Sequence, residues 1–144
     1  MSHVEKSRVN RKYKHSELTG TVIGCAMKVH TQLGCGYPEV IYQRALAREL
    51  EKCNMEYERE VEMPIYYDGL EIGYRRADFI IDKKIVVELK AVGEINNAHF
   101  NQVLNYLKAY KKEIGLLINF GEESLKFRRF INKRNVNQRN QRNQ

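Results

Sequence analysis

The segment Arg76-Ala-Asp-Phe-Ile-Ile-Asp-Lys-Lys-Ile-Val-Val-Glu-Leu-Lys90 constrains this chain more than any other. Two runs rich in β-branched residues, Phe79-Ile-Ile81 and Ile85-Val-Val87, flank a charged turn, which reads as a hairpin inside a core. Strand side chains alternate, so Glu88 and Lys90 share one face while Ile85, Val87 and Leu89 take the other. If the loop is Asp82-Lys83-Lys84, Ile81 pairs with Ile85, and counting outward sets Asp78 opposite Glu88. A two-residue loop would set Asp78 against Leu89 and put the carboxylates on opposite faces. With the odd loop the two acids face each other at a Cβ separation of about 5 Å, which is destabilising unless positive charge lies between them. A divalent metal would supply it.

The rest of the chain reads as support for this hairpin. From Ser16 to about Leu33, apolar Leu18, Val22, Cys25, Ala26, Val29 and Leu33 recur at helical spacing, with Ser16 as a cap. Gly34 and Gly36 break that helix, and Pro38 opens a second one running to about Asn54. Its stripe is Glu39, Tyr42, Leu46, Glu49, Leu50 and Cys53. The plain reading of Glu39 is an acid complementing the helix dipole.

Residues 56 to 67 switch to period two, and Pro64 marks them as an edge strand. Asp68-Gly69 makes a turn into a strand from about Leu70 to Ile81, and Lys84 to about Val92 completes an antiparallel meander. A helix from about Asn97 to Tyr110 has its core stripe at Phe100, Val103, Leu104 and Leu107. Gln102 and Tyr106 stand four apart beside it and share a face. Ile114 to Phe120 reads as a central strand and Leu125 to Ile131 as an edge strand. The order is α-α-β-β-β-α-β-β in one α/β domain over residues 16–131.

The net charge of +7 belongs to the ends. Residues 1–15 carry five Lys or Arg against Glu5, and residues 126–144 carry seven with no acid, so the body between them is acidic on balance. Residues 1–15 are expected to be a disordered basic arm and residues 132–144 a disordered Asn/Gln/Arg-rich tail. Such ends suit polyanions such as nucleic acid, and equally suit ordinary solvated termini. No apolar run reaches the roughly 20 residues needed to cross a membrane. The polar N-terminus and three cysteines without Cys-x-x-Cys spacing point to a cytoplasmic protein with reduced thiols.

Asp78, nine residues and then Glu88-Leu89-Lys90, placed on the second and third strands, resemble the PD-(D/E)XK nuclease superfamily. Ala77 stands where the superfamily's name has proline. Gly36-Tyr-Pro-Glu39-Val-Ile-Tyr42 is similar to the signature of the GxxExxY branch, and Gln102-Val-Leu-Asn-Tyr106 resembles the Q-x-x-x-Y motif of RecB-like nucleases. The resemblance spans about Ser16 to Ile131. It implies a restriction-endonuclease-like core, a mixed central sheet with flanking helices.

It also implies a catalytic set of Glu39, Asp78, Glu88, Lys90, Gln102 and Tyr106. Asp78 and Glu88 would ligate Mg²⁺ or Mn²⁺, with the Leu89 carbonyl as a third ligand and Glu39 completing the cluster directly or through water. Carboxylates are the oxygen ligands that Mg²⁺ prefers. Lys90, about 7 Å along the strand face from Glu88, would polarise a water or hold the scissile phosphate. Gln102 and Tyr106 would orient Lys90 or the substrate backbone. His99 reads either as a supporting group or as a surface residue.

The resulting expectation is a Mg²⁺-dependent nuclease acting on nucleic acid, DNA above all, with monomer and homodimer both open. The alternative is a non-catalytic nucleic-acid-binding or protein-interaction module on the same fold. On that alternative Asp78 would pair with Arg76, and Glu88 with Lys90, as surface ion pairs worth under about 1 kcal/mol.

Overall fold

In a computed structural model, residues 15–132 are described. The basic arm and the Asn/Gln/Arg-rich tail expected at the two ends lie outside them, apart from His15 and Asn132. The elements are α1 (Ser16–Leu33), α2 (Glu39–Lys52), β1 (Tyr57–Tyr67), β2 (Leu70–Ile81), β3 (Ile85–Lys90), α3 (Asn97–Ala109), β4 (Ile114–Asn119) and β5 (Lys126–Ile131). They form one five-stranded mixed sheet in the order β1-β2-β3-β4-β5. Only β3 and β4 run parallel. The crossover between them carries α3, as a parallel pair requires.

Two cores sandwich the sheet. On one face α1 and α2 cover Phe79, Ile81, Ile85, Val87, Leu89, Ile114, Leu116 and Ile118. On the other, Val103, Tyr106 and Leu107 of α3 cover Ala77, Ile80, Val86, Leu117 and Phe130. The alternate residues of β3 and β4 are thus buried on both sides, which is why their sequences read as unbroken apolar runs. Gly115 lets α3 approach, because a Cβ there would lie 2.8 Å from a Val103 methyl.

The expected three-residue loop is present. Asp82 and Lys83 take positive φ, the Lys84 amide donates to the Ile81 carbonyl at 3.0 Å, and Ile81 pairs with Ile85. At the β1–β2 turn both Asp68 (φ 52°) and Gly69 (φ 76°) are left-handed, as a two-residue type I′ hairpin demands.

Three expectations change. Ser16 is the first helical residue, and His15 holds the cap position without a side-chain cap bond. Cys53, placed on the buried stripe of α2, is exposed at its C-terminus. Leu104 is 38% exposed, whereas Tyr106 is 4% exposed. The buried stripe of α3 is rotated toward Tyr106 because Tyr106 and Tyr110 both reach inward toward the end of the β2–β3 hairpin.

Candidate active site

The β2–β3 ladder stops at Phe79↔Val87, one pair short of the two acids. Beyond it, side chains take over the bonds that strand pairing would otherwise make. The Leu89 amide donates to Asp78 Oδ2 at 2.8 Å, and the Asp78 amide donates to Glu88 Oε1 at 2.9 Å. On the other side of β2, the Ala77 amide donates to the Tyr110 hydroxyl at 3.1 Å, and that hydroxyl donates to the carbonyl of Val61, the β1 partner of Ala77. The strands therefore splay where the sequence set two acids opposite each other, and the backbone amides left over hold the carboxylates in place. Arg76 does not pair with Asp78. Its guanidinium donates to Glu62 of β1 at 2.7 Å.

Glu39 comes from the other side of the cleft, through the Gly36–Tyr42 segment. Gly36 sits at φ 112°, a conformation that L side chains rarely adopt. The Tyr42 hydroxyl donates to the Gly34 carbonyl at 2.6 Å and accepts from the Tyr37 amide at 3.2 Å, and its ring stacks on Phe120 at 4.6 Å. The tyrosine thus fixes the loop that starts α2, and Glu39 follows as the first helical residue. Half-buried there, Glu39 is pushed above the usual carboxylate range, first by burial and then by the charge of Asp78, with Lys90 pulling the other way.

Glu88 is 3% exposed. Burial, and after it the charge of Asp78, raise its pKa to about 9. Asp78 is also raised, by burial, against the Leu89 amide, Gln43 and Glu88, whose bonds to it favour the charged form. Lys90 draws Glu39, Asp78 and Glu88 alike toward ionisation, so all four groups share one electrostatic field. Tyr106 joins it from α3. Its hydroxyl accepts from Gln102 at 3.0 Å, and burial and then Glu88 raise its pKa. His99 serves elsewhere, as half of a reciprocal cap with Asn96 at the start of α3.

A family model described as the PD-(D/E)XK nuclease superfamily matches residues 16–130. The chain belongs to the PD-(D/E)XK nuclease superfamily. Its fold is similar to two solved structures. One, titled "Crystal structure of SSO0001", is 27% identical with a TM-score of 0.51, over 64% of this chain and 48% of that one. The other, an alkaline exonuclease (LHK-Exo) from Laribacter hongkongensis, is 8% identical with a TM-score of 0.50, over 69% of this chain and 59% of its own. The chain thus spans about half the length of these structures. No curated protein matches it significantly.

Two residues of this PD-(D/E)XK site escaped the sequence reading. Gln43, one turn after Glu39 and 5% exposed, donates to Asp78 Oδ1 at 3.0 Å and accepts from Arg59 at 2.9 Å. The signal was its i+4 spacing from Glu39, which puts both on one face of α2. Asn119, fully buried, accepts from the Val92 and Gly121 amides and donates to the Val92 carbonyl. Together with the bond from the Phe120 amide to the Lys90 carbonyl, it ties down the segment that follows Lys90. Nothing in the sequence marked Asn119 except a polar residue ending an apolar run.

The donor set of this superfamily member fits a hard divalent cation. Half-buried Asp78 and buried Glu88 press on each other with Lys90 beside them, and burial followed by the charge of Asp78 makes Glu88 costly to ionise. Among the described residues no group of three or more His, Cys, Asp or Glu side chains is gathered closely enough to cage an ion. No helix among the described residues is long and apolar enough to cross a membrane.

Proposed function

We propose that this protein is a Mg²⁺- or Mn²⁺-dependent nuclease of the GxxExxY branch that hydrolyses phosphodiester bonds in nucleic acid, with DNA as its substrate. The observation that carries the reading is the pair of facing carboxyls, half-buried Asp78 and buried Glu88, fixed by backbone amides at the splayed end of a hairpin beside Lys90. Two surface ion pairs would need neither the burial nor the amide anchors.

Asp78 and Glu88 would hold the ion, with the Leu89 carbonyl and Glu39 as further oxygen donors. When bound, the metal supplies Lewis-acid stabilisation of charge on the phosphoryl oxygens and a water more readily deprotonated than in bulk. The chain's own residues do the rest. Gln43, braced by Arg59, fixes the orientation of Asp78. Lys90 contributes a positive charge beside the acids, placed to hold the scissile phosphate or to orient the attacking water. The Tyr106 hydroxyl, kept protonated, can donate toward the substrate backbone while Gln102 sets its direction. Glu39, raised above an ordinary acid, can accept a proton from a water at the mouth of the site.

Incubating the purified protein with end-labelled single- and double-stranded DNA and RNA, in Mg²⁺, Mn²⁺ or EDTA, tests the proposal. Metal-dependent cleavage of DNA is expected. Binding without cleavage under every metal condition would favour a non-catalytic nucleic-acid-binding module instead.

A further inference from the structure

Arg75 and Arg76 leave β2 on opposite faces. Arg76 stands opposite Glu62 of β1 and donates to its carboxylate at 2.7 Å. Arg75 stands opposite Met63, which packs onto the core beneath α3, so its side chain lies on the α3 side of the sheet. Among the described residues Arg75 forms no ion pair, and its guanidinium takes part in no hydrogen bond. It borders a groove of about 470 Å³ whose other wall is α3, with His99, Asn101, Gln102, Asn105 and Tyr106 along it. That volume falls within the roughly 300 to 1,000 Å³ of ligand-holding clefts.

No Asp or Glu lines the groove, although the body of the chain is acidic on balance. Its polar groups are one unpaired guanidinium, a row of side-chain amides and an imidazole. Asn101 and Asn105 are exposed and stand one helical turn apart, about 6 Å along the axis. Gln102 donates to the Tyr106 hydroxyl and keeps its carbonyl oxygen for a ligand. His99 accepts from the Asn96 amide at Nδ1, which leaves Nε2. The groove also joins the candidate site, because Tyr106 belongs to both. The Tyr106 hydroxyl, raised by burial and then by Glu88, feels Arg75 pulling the other way, so charges from the site and from the groove act on one atom. A nucleic-acid strand carries a phosphate at every nucleotide, with sugar oxygens and base edges between, and a guanidinium followed by amides matches that order. A small free anion would engage Arg75 and leave Asn101 and Asn105 without partners.

We propose that Arg75 holds the phosphate next to the scissile one, and that the groove between β2 and α3, with Asn101 and Asn105 along it, carries the nucleic-acid strand to the Asp78–Glu88 site. This rests on the nuclease reading above, and its test reads binding separately from cleavage.

Fluorescence anisotropy of a labelled 20-nucleotide single-stranded DNA in EDTA measures binding where metal-dependent cleavage cannot occur. Arg75→Gln should weaken binding about 10-fold at low salt and reduce the slope of log K against log salt by about 0.7, as one phosphate contact on a single strand requires. Arg75→Lys keeps the charge and should keep the slope. Arg76→Gln removes the same charge one residue away, on the other face, and should leave the slope unchanged. Asn105→Asp puts a carboxylate into the groove and should weaken binding at least about 10-fold. All three positions are exposed, so circular dichroism melts of these variants should match the wild type. In steady-state cleavage of the same oligonucleotide with Mg²⁺, Arg75→Gln should raise KM about 10-fold and hold kcat within about two-fold. A wild-type slope in Arg75→Gln, an equal loss of slope in Arg75→Lys or Arg76→Gln, or wild-type affinity in Asn105→Asp would overturn the proposal. So would a fall in kcat at unchanged KM, which would put Arg75 in the chemical step. Failure of the wild type to cleave with any metal would sink the nuclease reading alone, and the slopes in EDTA would still decide whether Arg75 holds a phosphate.

Discussion

Replacing Glu88 with glutamine should abolish the pH dependence of stability that this one carboxyl imposes. Its pKa is pushed from 4.5 to about 9 in the folded protein, by burial first and Asp78 second, while in the unfolded chain it is an ordinary acid. The folded state therefore holds the proton longer. The stability Glu88 contributes is fully present below about pH 4.5 and is lost progressively as the pH rises toward 9. Each pH unit inside that window costs about 1.4 kcal/mol, or about 3 kcal/mol between pH 5 and pH 7. Glutamine keeps the shape, can still accept the Asp78 amide, and does not titrate. In EDTA the Tm of the wild type should fall relative to Glu88→Gln by roughly 10 °C between pH 5 and pH 7. Saturating Mg²⁺, which favours the charged carboxylate, should flatten the wild-type curve and leave the variant unmoved. Circular dichroism melts across pH decide it, and parallel curves for the two proteins in EDTA would refute the buried, coupled pair.

Gln43→Ala should lower the cleavage rate about 10- to 100-fold with little change in KM, because it releases Asp78 without removing a ligand, and steady-state kinetics would show the split. Tyr42→Phe frees the Gly34 carbonyl and the Tyr37 amide and should cost about 1 to 2 kcal/mol in urea unfolding, with a loss of activity as the Glu39 loop slackens. Gly115→Val would drive new methyl groups into Val103 and Leu107 and should cost about 1 to 3 kcal/mol by the same measurement.

Most of the sheet was legible in its patterning: the apolar run of β4 reads as central and Pro64 marks an edge. The register of β2 against β3 stood open between a three-residue and a two-residue loop, and the structure has the three-residue one. Asp78, Glu88, Lys90 and Glu39 were legible as residue types at meaningful spacings, and the structure brings them into one field. What stayed hidden depends on three-dimensional fit. The β2–β3 ladder ends early because side chains displace backbone partners at Leu89 and Asp78, and pairing rules do not contain that exchange. Gln43 and Asn119 were missed because a buried amide has no periodic signature; its meaning lies in which atoms it reaches. Leu104 was assigned to the core from its apolar character alone, while Tyr106 took the buried position because a polar tip at the site could accompany its ring.

The most direct test of the site is cleavage of labelled DNA by Asp78→Asn beside the wild type, in Mn²⁺, with both proteins melted in EDTA. Asparagine keeps the size of the side chain at the splayed hairpin but offers one oxygen where Asp78 accepts from both the Leu89 amide and Gln43. The variant should stay folded, melting somewhat below the wild type for the one bond lost, and lose at least about 100-fold in cleavage rate. Undiminished cleavage by a folded Asp78→Asn protein would contradict the account.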